Sequence, residues 1–414
     1  MTVREICADA AAAAPSVAAL PGAVKDAALL GMADALLGSE RDLVAANEQD
    51  VEAARAEGTP ATLVDRLTLM PSRLESMAAG LRAVAAQPDP IGEVVAGWKR
   101  PNGLSIEQVR VPLGVVAVIY EARPNVTADV SGLCLKSGNA CILRGSSIAL
   151  RSNQAIVDVL RAAAVAAGVP ADAIQLVPDT TREGATELMQ AKGLVDLLVP
   201  RGGRALIESI ERQATVPYIV DGDGNCHVYV DRAANPAMAT EIILNAKTQR
   251  PSVCNAAETL LVHAELAKEW LPETLDALRE KGVEIRGDGE VRALWPDAGE
   301  ATEEDWATEY LDYKLAVRVV DSLDEAIAHV NRFGTSNAEA IVTDDLAAAR
   351  RFTSEVDSGS IFVNASTRFS DGGEFGYGAE IGISTQKLHA RGPMGLTALT
   401  TTKYVVWGQG QTRT

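Results

Sequence analysis

The chain has 414 residues, which at about 150 residues per domain implies two or three domains. Hydrophobic residues make up 47% and charged residues 23%, enough apolar surface to offset ordering entropy, so a disordered chain is excluded. Acidic residues outnumber basic ones 56 to 38, and the formal net charge of −18 argues against non-specific nucleic-acid binding while leaving room for a local basic pocket that takes a phosphorylated small molecule.

No apolar run is long enough to span a bilayer, so no membrane association is expected. The Ala-rich start carries Glu5 and Asp9 and lacks a basic segment, so we read no secretory signal there. The five cysteines (Cys7, Cys134, Cys141, Cys226, Cys254) are scattered and lack CxxC spacing, which points to reduced thiols in a cytoplasmic protein. The four histidines (His227, His263, His329, His389) are far apart, and no metal site is expected.

The first ninety or so residues are rich in Ala, Leu, Glu and Arg and lack strand-type runs, which predicts helices; Pro71 fits the first turn of one of them. Residues 94–111 then read as a hairpin arm, with Pro101-Asn-Gly103 as the turn and Ile106–Val111 as a half-exposed strand. Val115–Tyr120 is continuously apolar, as expected of a strand buried on both faces, and Ala140–Leu143, Ile174–Val177 and Val195–Val199 are similar. Helical stretches at about 126–137, 147–167, 182–191 and 203–213 separate them, so a parallel, doubly wound sheet is predicted. A second alternating block starts near 235, with strands at Thr259–Val262, Leu315–Val320, Ala338–Val342 and Ser360–Val363 and a solvated acidic stretch at 301–310. The tail strand Thr402–Trp407 must pair either with the hairpin arm or with a neighbouring subunit.

Cys254 stands between a helical pattern (236–248) and the strand at 259, a boundary where a rigid scaffold can present a thiol to substrate. Lys247 and Arg250 nearby favour the nucleophilic thiolate; the alternative is a buried structural cysteine. Cys7, Cys134, Cys141 and Cys226 read as core. The segment Tyr120-Glu-Ala-Arg-Pro-Asn125 follows the first buried strand, where open α/β sheets bind ligands, and the Asn125 amide can donate to an oxyanion; a plain Pro-Asn turn is the alternative. Lys136-Ser-Gly-Asn139 and Arg144-Gly-Ser-Ser147 flank the strand 140–143 and read either as an anion site or as a helix C-cap glycine followed by a serine N-cap. Pro200-Arg-Gly-Gly203 opens a helix after a buried strand, and its backbone N–H groups can approach a dinucleotide, although GxGxxG is absent.

Longer phrases carry a resemblance. Val111-Pro-Leu-Gly-Val-Val-Ala-Val-Ile-Tyr-Glu-Ala-Arg-Pro-Asn-Val126, Leu135-Lys-Ser-Gly-Asn-Ala-Cys-Ile-Leu-Arg-Gly145 and Leu198-Val-Pro-Arg-Gly-Gly203 are three of them. Gly224-Asn-Cys-His-Val-Tyr-Val230, Glu374-Phe-Gly-Tyr-Gly-Ala-Glu-Ile-Gly-Ile-Ser-Thr-Gln-Lys387 and Leu388-His-Ala-Arg-Gly-Pro-Met394 are the others. From about residue 15 to 408 the chain resembles the aldehyde dehydrogenase superfamily, and within it the branch that reduces L-glutamyl 5-phosphate in proline biosynthesis.

The resemblance implies an α/β fold of two doubly wound α/β domains plus a small β oligomerisation arm. Residues 1–93 and 112–231 would form the dinucleotide-binding domain, 232–384 the thiol-bearing catalytic domain, and 94–111 with 385–414 the arm. It implies Cys254 as nucleophile and Asn125 as oxyanion donor. Arg144, Ser146 and Ser147 fall on a motif that holds the adenine ribose; Ser147 replaces the Glu common there, which suits a 2′-phosphate and hence NADP(H). Pro200, Gly202 and Gly203 would approach the cofactor, and Glu309 matches the glutamate that contacts the nicotinamide ribose. Arg123, Lys136 and Arg368 are candidate cations for the glutamyl phosphate substrate, and Glu374 a candidate for its α-ammonium, a plain surface carboxylate being the alternative.

Hydrolytic relatives carry Glu-Leu-Gly-Gly where this chain reads Tyr218-Ile-Val-Asp-Gly-Asp-Gly224, and no Glu occurs between Glu211 and Glu241; Asp221 and Asp223 are the nearby carboxylates. Losing that base suits an enzyme whose acyl partner is phosphate rather than water. A homo-oligomer is expected, with glutamate kinase as a further partner. The competing readings are a hydrolytic semialdehyde dehydrogenase and a non-catalytic scaffold.

Overall fold

A computed structural model describes residues 1–220 and 222–413, leaving Asp221 and Thr414 outside the described residues. The chain forms two compact units, Met1–Val220 with Gly376–Gly382 and Met394–Thr414, and Asp221–Phe375 with Ile383–Pro393.

The first unit begins with the expected helices α1 (Val3–Ala18), α2 (Gly22–Gly38), α3 (Glu40–Ala56), α4 (Ala61–Leu67) and α5 (Pro71–Ala86). Thr2 and Glu5 form a reciprocal cap on α1, and Pro71 occupies the first turn of α5, where its missing N–H costs nothing. The hairpin strands β1 (Val94–Lys99) and β2 (Ser105–Pro112) follow. Then come β3 (Val115–Tyr120), α6 (Pro124–Lys136), β4 (Ala140–Arg144), α7 (Leu150–Ala166), β5 (Ile174–Leu176), α8 (Arg182–Met189), β6 (Leu197–Arg201) and α9 (Arg204–Gln213). The four central strands run parallel in the order β5-β4-β3-β6. Their apolar residues are buried because helices cover them, which is why these strands show no alternation. Strand order reverses where β3 meets β6, and such a switch point leaves a crevice beyond the strand ends. The segments after β3, β4 and β6 carry the residues that the sequence singled out.

Residues Thr400–Trp407 pair with β2 in antiparallel register, from Thr400 opposite Pro112 to Trp407 opposite Ser105. The tail strand therefore pairs with the hairpin of its own chain, in a three-stranded sheet. Trp98, Tyr404, Val406 and Trp407 of this sheet stay exposed.

The sheet of the second unit is built from β7 (Cys226–Val230), β8 (Ala257–His263), β9 (Glu284–Gly287), β10 (Gly299–Glu300), β11 (Lys314–Val320), β12 (Ala338–Val342) and β13 (Ser360–Val363), beside a short antiparallel pair at Ile383–Ser384 and Gly392–Pro393. The sheet is parallel, in the order β10-β9-β11-β8-β7-β12-β13. The principal helices are α10 (Pro236–Thr248), α11 (Ala264–Glu280), α12 (Gly289–Leu294), α13 (Glu303–Trp306), α14 (Leu323–Phe333) and α15 (Leu346–Glu355). The expected boundaries need correction. β7 was placed in the first domain, but it hydrogen-bonds to β8 and β12, so the boundary lies at 220/221 and not 231/232. Residues 376–382 belong to the first unit, and 385–393, expected in the arm, belong to the second. The acidic stretch 301–310 is mostly surface, yet Trp306 within it is buried.

One face of the second sheet carries a buried polar layer. The His227 ring lies 3.2 Å from a Glu339 carboxylate oxygen and stands edge-on to the His329 ring. Burial holds His329 down to about 3, with the charges of His227, Arg318 and Arg332 acting the same way, so the ring is neutral in the folded protein.

Candidate active site

Cys254 lies in the loop between α10 and β8 and is half-buried, whereas Cys7, Cys134, Cys141 and Cys226 are buried and no disulfide joins the described cysteines. The loop is a tight turn, with the Ala256 N–H donating to Val253 O at 3.0 Å. Its backbone is held from both sides. The buried Cys226 thiol donates to the Cys254 carbonyl at 3.2 Å, and a Cβ at Gly224 would overlap that carbonyl. The Asn255 amide donates to Ser370 O at 3.0 Å, and the Thr367 hydroxyl donates to Asn255 O at 2.8 Å. A thiol so placed is partly open to solvent on a turn that cannot readily shift.

Cations border this loop. The Arg368 Nε donates to the Gln249 side-chain oxygen at 2.9 Å. Burial lowers the Arg368 pKa, and the negative charges of Asp371 and Cys254 oppose that shift. Arg250 lies close enough to repel it. Lys247 is a different case. The sequence offered it as a cation for the thiolate, but its Nζ is fully buried against Glu258 Oε2 at 2.6 Å. The pair ties the end of α10 to the start of β8, just beneath the loop. Burial raises Glu258 despite Lys247, and its other oxygen accepts the Leu311 N–H at 3.1 Å. Glu309 accepts the Gly224 N–H at 2.8 Å. Glu374 is exposed. Asp223 is half-buried next to Gly224; Asp221, the other carboxylate considered from the sequence, lies outside the described residues.

In the first unit Asn125 sits in the opening turn of α6, exposed, with Nδ2 donating to Asp129 Oδ2 at 3.1 Å. Burial pushes Asp129 up to about 6, and the Asn125 bond and the Arg201 charge oppose that shift. Arg123 is the residue just before this helix. The start of α6 is fixed from below, where the Tyr120 and Thr127 hydroxyls lie 2.7 Å apart and Thr127 donates to Asn153 at 3.1 Å.

Arg144 ends β4 and is buried, its Nη2 donating to Thr181 O at 2.7 Å. Its Nε and the Ser146 hydroxyl are buried with no hydrogen-bond partner among the described residues, while Ser147 is exposed. Asp179 is the acid near Arg144; its bonds from Thr181 hold it below the usual carboxylate range. Pro200 lies in β6, and Gly202 and Gly203 lead into α9, where the Gly203 N–H donates to Glu121 Oε1 at 3.3 Å. The helix start thus already holds an anion, as its dipole favours.

Lys136 is corrected. Its side chain is buried, ion-paired with Asp26, and donates to Ala85 O at 2.9 Å, so it stitches α6 to α2 and α5 and does not meet substrate. Gly138 has φ of 75°, so the Lys-Ser-Gly run is the helix C-cap that the sequence allowed as its alternative.

A cavity of about 420 Å³ in the second unit is walled by Asp288, Glu303, Trp306, Arg318, Asp321 and Glu325, none of them singled out by the sequence. Its carboxylates have other work: Asp288 accepts the Val291 N–H at 2.8 Å, and Glu325 accepts from Arg318 at 2.7 Å. Among the described residues, no group of three or more His, Cys, Asp or Glu is arranged to hold a metal ion, and no helix is long and apolar enough to cross a membrane.

Residues 1–291 and 315–405 match the aldehyde dehydrogenase family. The chain belongs to that family, as the resemblance in its sequence implied. It is 57% identical to a γ-glutamyl phosphate reductase of Thermobifida fusca over 99% of this chain and 98% of the relative. It is 57% identical to the γ-glutamyl phosphate reductase of Moorella thermoacetica over 97% of this chain and 96% of that one. The crystal structure of a γ-glutamyl phosphate reductase from Thermotoga maritima, 44% identical, covers 100% of both chains with a TM-score of 0.98. The α/β fold with parallel sheets is that of these relatives.

Proposed function

We propose that this chain reduces L-glutamyl 5-phosphate to L-glutamate 5-semialdehyde and phosphate, with NADPH as cofactor and Cys254 as nucleophile, as a step of proline biosynthesis in the cytoplasm. It is an oxidoreductase, and the names of its relatives support the substrate. The observation that carries the mechanism is the half-buried Cys254 thiol on a clamped turn, set against four buried cysteines.

The Cys254 thiolate attacks the acyl carbon, whose carbonyl electrons move to oxygen. The Asn125 amide and the Cys254 N–H donate to that oxyanion. Reforming the carbonyl expels phosphate with its electron pair and leaves a thioester on Cys254. Arg368 and Arg250 supply positive charge for the departing phosphate, and Arg123 and Glu374 serve the charged α-carbon end of the substrate. After reduction, the hemithioacetal collapses, releases the semialdehyde and returns the thiolate.

The family and the reductive reaction call for a nicotinamide cofactor. When bound, it supplies the hydride that reduces the thioester carbon. The first unit fits one: among the described residues the Arg144 Nε and the Ser146 hydroxyl are buried without hydrogen-bond partners at the end of β4, as groups that meet ligand oxygens would be. Ser147, Pro200, Gly202 and Gly203 complete that edge, and Glu309 serves the nicotinamide ribose. Arg144 favours a 2′-phosphate and hence NADP(H). Arg144→Ala should weaken NADPH binding by about ten- to hundredfold, the value of a charge-assisted bond, and NADH binding far less. Fluorescence titration of both cofactors checks this; equal losses would refute the 2′-phosphate role.

The exposed Trp98, Tyr404, Val406 and Trp407 support docking of the arm sheet on a second copy of the chain. A kinase that makes the acyl phosphate is the other proposed partner.

The test of the reaction is NADP⁺ reduction with glutamate semialdehyde, with and without inorganic phosphate. Turnover should require phosphate and yield the acyl phosphate. Sustained turnover without phosphate, yielding glutamate, would establish a hydrolytic dehydrogenase instead.

A further inference from the structure

The Cys226 thiol has no place in the reaction above, yet it donates to the backbone carbonyl of Cys254. Cys226 is the first residue of β7 and is wholly buried. Burial, with the charges of Glu339 and Cys254, pushes its thiol pKa up, so it stays S–H at any working pH and acts as a donor. Its Sγ lies 3.2 Å from the Cys254 carbonyl oxygen.

The segment that carries this thiol is rigid. The Gly224 N–H donates to Glu309 at 2.8 Å, and the Asn225 N–H donates to the Thr335 hydroxyl at 2.9 Å. The Asn225 amide donates to Trp306 O at 2.8 Å and Phe333 O at 2.9 Å. Gly224 lies flat against the Cys254 carbonyl, since any Cβ there would overlap it. On the far side the Thr367 hydroxyl and the Asn255 amide hold the next peptide. The Cys254 carbonyl and the residue after it are therefore held by neighbours on both sides. The Cys254 Cα is bonded to that carbonyl, so a shift of the carbonyl would move the thiol and the Cys254 N–H and misaim nucleophile and oxyanion donor together.

We infer that Cys226 is a positioning residue, whose S–H holds the Cys254 carbonyl and so fixes the direction of the thiol that attacks the substrate. This inference rests on the reading of Cys254 as the nucleophile. An S–H donor is weak, so serine, a stronger donor of similar size, should serve in its place, whereas alanine should not.

The test compares Cys226→Ala and Cys226→Ser in the full chain by steady-state kinetics and by the pH dependence of Cys254 alkylation with iodoacetamide. Cys226→Ala should lower kcat by about five- to tenfold, the value of one hydrogen bond, with KM changed by less than about twofold and a displaced alkylation profile. Cys226→Ser should keep both readouts near those of the unaltered protein. Equal losses in Ala and Ser, or an Ala variant with unaltered kcat and alkylation profile, would overturn the inference. A variant that fails to fold does not decide the matter, so the S–H stretch is read by Raman spectroscopy in the unaltered protein, assigned by its loss in Cys226→Ser. The band should lie at a hydrogen-bonded frequency and move when Cys254 is alkylated; a band at the frequency of an unbonded thiol would equally overturn the role. Failure of the nucleophile reading would look different, because Cys254→Ser itself would then turn over normally.

Discussion

Cys254→Ser should lose about a thousandfold or more in NADPH-dependent reduction while binding the cofactor as before. The thiolate is the reactive form of cysteine, and a serine hydroxyl in its place would need a general base to become a nucleophile. The substitution is nearly isosteric on a turn held through its backbone, by Cys226, Thr367 and the close approach of Gly224, so the turn itself should persist. Steady-state kinetics paired with a cofactor titration separates chemistry from binding. A variant with full turnover would remove Cys254 from the mechanism.

Lys247→Met should destabilise the fold by about 3–5 kcal/mol, because it leaves the Glu258 carboxylate buried without its cation. That is a large part of the total stability of about 5–15 kcal/mol common for native proteins. The damage should reach activity, since Glu258 also anchors the Leu311 N–H and the pair lies at the base of the Cys254 loop. Adding Glu258→Leu should restore most of the lost stability, because two apolar groups can replace a buried ion pair at little cost. Urea unfolding of the single and double variants checks this. A single variant within about 1 kcal/mol of the unaltered protein, the range of a surface pair, would show that the pair is not buried as described.

Strands such as Val115–Tyr120, Ala338–Val342 and Ser360–Val363 were legible in the sequence because apolar length and turn punctuation are local signals. β9 and β10 were not, since Glu284-Ile-Arg-Gly287 offers a single strand-type residue, Ile285, between two charged ones, and Gly299–Glu300 is two residues long. The membership of β7 was misplaced for another reason. Its apolar run fits either sheet, and only its pairing with β8 and β12, a non-local fact, decides between them.

The candidate site divides in the same way. Asn125 and Arg144 were nominated from phrases that span many residues, and Cys254 from its place between a helix and a strand together with the family resemblance. Lys136 was misread because Lys-Ser-Gly has the composition of an anion cradle, and the sequence does not reveal that Asp26 and the Ala85 carbonyl lie within its reach. Lys247 misled for the same reason: a cation close in sequence to the thiol is committed to Glu258. The neighbours of the candidate residues, Cys226, Gly224, Asp129 and Asp179, went unread, because each is brought close to one of them from a distant point in the chain or from a turn away on a helix. Only the glycine of the Gly224-Asn-Cys226 phrase offered a signal, as a point where backbones approach closely.

The most direct measurement is mass spectrometry of the protein mixed with glutamate 5-semialdehyde and NADP⁺ without phosphate, quenched in acid and digested. A glutamyl adduct should appear on the peptide that carries Cys254 and vanish when phosphate is added. An adduct on another residue, or phosphate-dependent turnover with Cys254 never acylated, would contradict the account.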